Sequence, residues 1–90
     1  MAVVQGIVDY QGNVVRAQGN FKVRLRSGDV LRIEVTGQKT ATAFVLATPW
    51  RTNTDMGAVG VTAAPAGEDE PDVMVFALPQ YYGLSFRIEP

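Results

Sequence analysis

From Phe21 to Thr36 the chain alternates between apolar and polar residues almost without interruption. Phe21, Val23 and Leu25 interleave with Lys22, Arg24 and Arg26, and after Ser27-Gly28-Asp29 the residues Leu31, Ile33 and Val35 interleave with Arg32, Glu34 and Thr36. A period of two sends alternate side chains to opposite faces of a strand, whereas a helix would scatter the same residues around its circumference. The segment therefore predicts a half-buried β-hairpin that turns at its glycine.

The remainder of the chain reads the same way. Thirteen valines stand against five leucines, and nine glycines and five prolines punctuate the sequence at short intervals, so no window carries the spacing of an amphipathic helix. Upstream of the hairpin, Val3 to Tyr10 and Val14 to Ala17 read as strands. Each is followed by a turn built on the same Gln-Gly-Asn triplet, at Gln11 and again at Gln18. Downstream, Thr40 to Thr48 is apolar on both faces, which predicts a strand at the centre of a sheet. A loop from Pro49 to Gly57, a strand from Ala58 to Ala63, an acidic loop from Ala64 to Asp72 and a strand from Val73 to Leu78 follow. A corner at Pro79 to Gly83 and a last strand from Leu84 to Glu89 complete the reading. Seven or eight short strands in 90 residues predict a single all-β domain spanning residues 1–90. Its expected form is a small antiparallel β-sandwich, immunoglobulin-like or jelly-roll-like, with a small OB-like barrel as the alternative. Phe21, Phe44, Phe76 and Phe86 are expected in its core.

Much familiar chemistry is missing from this composition. Cysteine and histidine are both absent, so there is no disulfide, no thiol nucleophile, and no side chain with an unperturbed pKa near neutrality. The two serines, Ser27 and Ser85, lie outside any Gly-x-Ser-x-Gly elbow, and no spacing couples them to Lys22 or Lys39. Glu68, Asp69, Glu70 and Asp72 crowd one loop, but adjacent acids on a loop repel and stay solvated, and their spacing does not match a calcium-binding loop. The expectation is a protein that is not an enzyme, with no catalytic residue, no metal site and no cofactor. The longest apolar run, Ala43 to Ala47, is far too short to cross a bilayer as a helix, and the N-terminal residues lack the pattern of a signal peptide. A soluble protein of the cytoplasm, or of a virion assembled there, is expected, with no membrane partner.

Charge is unevenly distributed although the net charge is only -1. Residues 16–39 carry a local excess of four positive charges, while residues 55–72 carry five acids and no base. Lys22, Arg24 and Arg26 are expected on one outer face, joined by Arg32 from the paired strand. Like charges so close call for something negative opposite them: the chain's own acidic loop, the loop of a second copy, or a phosphate backbone. Trp50 with Arg51, and Tyr81 with Tyr82, sit in predicted loops where aromatic residues serve interfaces. The expected interface set is thus Lys22, Arg24, Arg26, Arg32, Trp50, Arg51, Glu68, Asp69, Glu70, Tyr81 and Tyr82.

The function expected from this pattern is a structural module that associates with itself or docks on a larger protein assembly. Alanine, glycine, valine and threonine fill 39 of the 90 positions. On that texture alone, with no motif behind it, the chain looks like the capsid decoration, minor capsid or tail proteins of bacteriophages. Two alternatives stand beside this expectation. One is single-stranded nucleic-acid binding, with Lys22, Arg24, Arg26 and Arg32 as a phosphate track and Trp50 or Tyr81 as a stacking platform; the acidic overall balance opposes it. The other is carbohydrate binding through Trp50, Tyr81 and Tyr82.

Overall fold

The computed structural model describes residues 3–51 and 61–89. They form eight strands: β1 (Val4–Val8), β2 (Val14–Gln18), β3 (Phe21–Ser27), β4 (Val30–Val35), β5 (Phe44–Trp50), β6 (Thr62–Pro65), β7 (Asp72–Phe76) and β8 (Gly83–Glu89). They pair in two four-stranded antiparallel sheets, ordered β2-β1-β8-β5 and β3-β4-β7-β6. This is a small β-sandwich of two separate sheets. Residues 58–60 of the strand expected over Ala58–Ala63, and residues 52–57 of the preceding loop, lie outside the described residues.

The two inner strands of each sheet carry most of the core. Val4 and Val8 of β1 and Leu84, Phe86 and Ile88 of β8 meet Leu31, Ile33 and Val35 of β4 and Val73 and Val75 of β7, all buried. Gly6 sits between Val4 and Val8 on the inward face, where a side chain would strike the ring of Phe21 from the other sheet. The missing side chain lets that ring settle edge-on against Phe86, with centroids 5.0 Å apart. The recurring Gln-Gly-Asn triplets are explained by their glycines, since Gly12 and Gly19 both take φ +87°, a conformation most L-residues avoid.

The hairpin forms as its alternation requires, β3 joining β4 through Gly28-Asp29, with one departure. Val23 pairs with Ile33, but the next paired residue, Leu25, stands opposite Arg32, so Arg24 is bulged out of the ladder. A bulge exchanges the faces of everything beyond it. Leu25 is exposed as a result, while Arg26 turns inward opposite Leu31 and is half-buried. Arg26 therefore does not share an outer face with Lys22.

β5 corrects another expectation. Among the described residues it is an edge strand paired only with β8, and it presents Val45 and Ala47 inward while Phe44 and Leu46 face solvent. The small side chains pack against the margin of the core. Pro49 agrees with an edge position because it cannot donate to a ladder. Phe76 is likewise exposed, because the inward positions of β7 belong to Val73 and Val75. Leu78 would face outward too, but Ala77 takes φ 60° and reverses the alternation, returning Leu78 to the interior.

Candidate functional site

Three surfaces of the sandwich carry chemistry, and the outer face of the sheet formed by β3, β4, β7 and β6 gathers most of the charge. Asp72 belongs to β7 rather than to the acidic loop and is buried. Its carboxylate accepts a hydrogen bond from Nε of Arg32, whose Nη2 lies 3.1 Å from Oε2 of Glu70. The bond to Asp72 raises the Arg32 guanidinium above its ordinary pKa; desolvation opposes this, and the charges of Asp72, Glu70 and Glu34 add to it. Lys39 reaches Oδ1 of Asp69 at 3.1 Å, and Arg24 reaches Oε2 of Glu34 at 3.5 Å.

The acidic loop itself is tied down. Thr40, fully buried, holds Oγ1 2.9 Å from the carbonyl of Asp72 and 3.2 Å from that of Glu70, and its backbone N–H donates to Glu70. Val35 N–H donates to the carbonyl of Pro71 at 2.9 Å. Within the basic hairpin, Arg32 therefore finds its negative partners in Asp72 of β7 and Glu70 of the loop, and Arg24 finds its own in Glu34 of the hairpin itself. Of the charged residues expected at an interface, Arg24, Arg32, Asp69 and Glu70 pair within the chain, whereas Lys22 and Glu68 have no partner among the described residues. No three acids among the described residues converge as a cation site requires.

Arg26 does different work. Its Nη1 donates to the carbonyl of Gly28 at 2.7 Å, and its Nη2 lies 2.8 Å from that of Pro79 and 3.1 Å from that of Tyr82. Burial lowers its pKa, with Asp29 partly compensating. The side chain thus clamps the corner between β7 and β8 to the tip of the hairpin. A phosphate track of four cations is not assembled, because Arg26 is turned inward and Arg32 is occupied by carboxylates.

Another surface is an aromatic groove at one end of the sandwich, about 480 Å³ in volume, lined by Asp9, Tyr10, Val15, Trp50, Arg51, Tyr81 and Gly83. The rings of Tyr10 and Tyr81 lie 6.4 Å apart at a tilt of 55°. Trp50 closes β5 rather than lying in a loop, and it stands opposite Gly83 on β8. Gly83 must be bare, since any side chain there would collide with the carbonyl of Val8. Tyr82, expected among the exposed aromatics, is buried in the core and serves as a support: the Arg51 guanidinium sits 5.2 Å from its ring centroid, a cation–π distance. Asp9 and Val15 were not legible as partners of Trp50, because only the folded ends of β1 and β2 bring them there.

The third surface is the outer face of β5. Phe44 and Leu46 are 75% and 67% exposed, and they flank a shallow depression with Arg87 and Glu89 of the adjacent β8. Phe44 stands opposite Glu89 and Leu46 opposite Arg87, while Nε of Arg87 bonds Oε1 of Glu89 at 2.7 Å. Comparison of the chain with protein-family models, with curated proteins and with solved structures finds no match.

Proposed function

We propose that the protein is a non-enzymatic assembly module that associates with a second copy of itself through the outer face of β5. The observation that carries this reading is the exposure of Phe44 and Leu46, two of the larger apolar side chains, on a sandwich whose core closes without them. Exposed apolar side chains clustered at a sheet edge are a common basis for association. A like copy is the partner whose chemistry fits. The face is apolar at its centre and carries one cation and one anion beside it, Arg87 and Glu89, so a two-fold axis can bring apolar residues together while setting each charge near its opposite. The surface offers no excess of one sign to select a strongly charged partner.

Sedimentation equilibrium tests the proposal. The wild-type chain is expected to move from the mass of one chain toward that of two as concentration rises. The double variant Phe44→Ser, Leu46→Ser is expected to remain a monomer, with stability to urea changed by no more than about 0.5 kcal/mol, because both side chains are already in solvent. A wild type that stays monomeric at millimolar concentration, or a double variant that associates as the wild type does, would refute it.

A further inference from the structure

We infer that the aromatic groove formed by Tyr10, Trp50, Tyr81, Asp9 and Arg51 is a binding site for a neutral saccharide. This inference is independent of association through β5. The groove's volume of about 480 Å³ falls within the range of small-molecule sites, roughly 300 to 1,000 Å³. Its walls are amphipathic. Three aromatic side chains line one concavity, and two of them are substantially open, Tyr10 at 47% and Tyr81 at 63% exposed.

The polar groups beside those rings narrow the ligand class. Asp9 supplies a carboxylate whose Oδ1 already accepts the backbone N–H groups of Gln11 at 3.0 Å and Asn13 at 2.8 Å. Those bonds hold the side chain in place and make no use of Oδ2 as an acceptor. Arg51 supplies donors, and its stacking on the buried ring of Tyr82 limits its freedom. A fixed acceptor and a restrained donor beside ring faces suit a ligand with a C–H face and hydroxyls that both donate and accept, which is the chemistry of a pyranose. The same set discriminates against other ligands. A nucleic-acid backbone would bring phosphate toward the Asp9 carboxylate with only Arg51 to offset it, and a purely apolar ligand would bury both charges without partners. The charges of Asp9 and Arg51 sum to zero, which matches an uncharged occupant.

The groove is also preorganised, which lowers the cost of binding. Arg26 fixes the carbonyls of Pro79 and Tyr82 on either side of Tyr81, Gly83 fixes the approach of β8 to β1, and Trp50 is placed by its register in β5.

Trp50 is the only tryptophan and it lines this groove, so its fluorescence responds to an occupant there. The experiment screens the full chain on an array of neutral and acidic oligosaccharides. It then titrates the best neutral oligosaccharide against tryptophan fluorescence, with a proline decapeptide and oligothymidylate run in parallel. A neutral oligosaccharide is expected to bind and shift the Trp50 emission. Tyr81→Ala is expected to weaken binding roughly tenfold or more through loss of ring contact, and Asp9→Asn to weaken it less. Phe44→Ser, outside the groove, is expected to bind as the wild type does, so failure here is distinguishable from failure of the β5 proposal. Tyr81 is exposed enough that its replacement leaves the fold intact, which circular dichroism checks. Absence of neutral oligosaccharide binding, binding indifferent to Tyr81→Ala, or preferential binding of the decapeptide or the oligothymidylate would overturn the inference.

Discussion

The outer faces of the two sheets handle their residues in opposite ways. On the face of β3, β4 and β7, Arg32 is bound to buried Asp72 and to Glu70, Arg24 to Glu34, and the nearby Lys39 to Asp69. On the face of β8 and β5, Phe44 and Leu46 stand in water beside an ion pair that covers neither. The charged face has the sequence pattern of a docking surface yet is largely occupied in the fold, whereas the β5 face has the sequence pattern of core yet is open. Charge clustering along a chain is thus a poor guide to what a surface seeks, because folding can place the opposite charges against one another. Uncovered apolar area is the better guide, because burying it is favourable in proportion to its extent.

Three substitutions sharpen the contrast. Ile33→Ala sets the scale, since Ile33 is buried in β4 between the sheets and its truncation is expected to cost roughly 2 to 5 kcal/mol in urea unfolding. A loss below about 1 kcal/mol would show that the core lies elsewhere. Asp72→Ala comes next, at about 1 to 3 kcal/mol, because the buried carboxylate is the principal acceptor for Arg32. The lower part of that range is favoured, as Arg32 retains Glu70 and some access to water. Lys39→Ala, which removes a pair whose side chains are 74% and 85% exposed, is expected to change stability by less than about 0.5 kcal/mol. If Asp72→Ala were as silent as Lys39→Ala, the charged face would be decoration and the proposed asymmetry between the faces would disappear.

Much of the fold could be read from alternation alone. The hairpin of β3 and β4, the strands β1 and β8, and the two glycine turns at Gly12 and Gly19 follow from local chemistry, and the structure contains them. What could not be read depended on events that period-two patterning does not register. The bulge at Arg24 costs one residue of register and moves Arg26 from solvent to the hairpin tip, and Ala77, with φ 60°, does the same for Leu78. The segment of β5 read as a central strand because both of its faces are apolar, and it lies at an edge. Pro49 was the one local sign that it lies at an edge, and a proline in a strand also permits other readings.

The candidate sites were legible only in part. Trp50, Arg51 and Tyr81 could be marked as exposed aromatics with a neighbouring cation, and the groove contains all three. Asp9 and Val15 arrive there from the far end of the sequence through the pairing of β1 with β8 and β2, and Tyr82 leaves the set because the corner turns it into the core. For the charged residues, the missing information was the distance between hairpin and acidic loop, which Thr40 and Val35 set through backbone carbonyls of residues 70–72.

The proposed association is apolar in origin, because the charges of the hairpin face are largely paired within each molecule. Its most direct test is sedimentation equilibrium of the wild-type chain at low salt and at about 1 M NaCl, where the screening length falls to roughly 3 Å. Apolar association predicts a dimerisation constant that holds or tightens at high salt. Dissociation into monomers at high salt would contradict it and return the interface to the basic hairpin and the acidic loop.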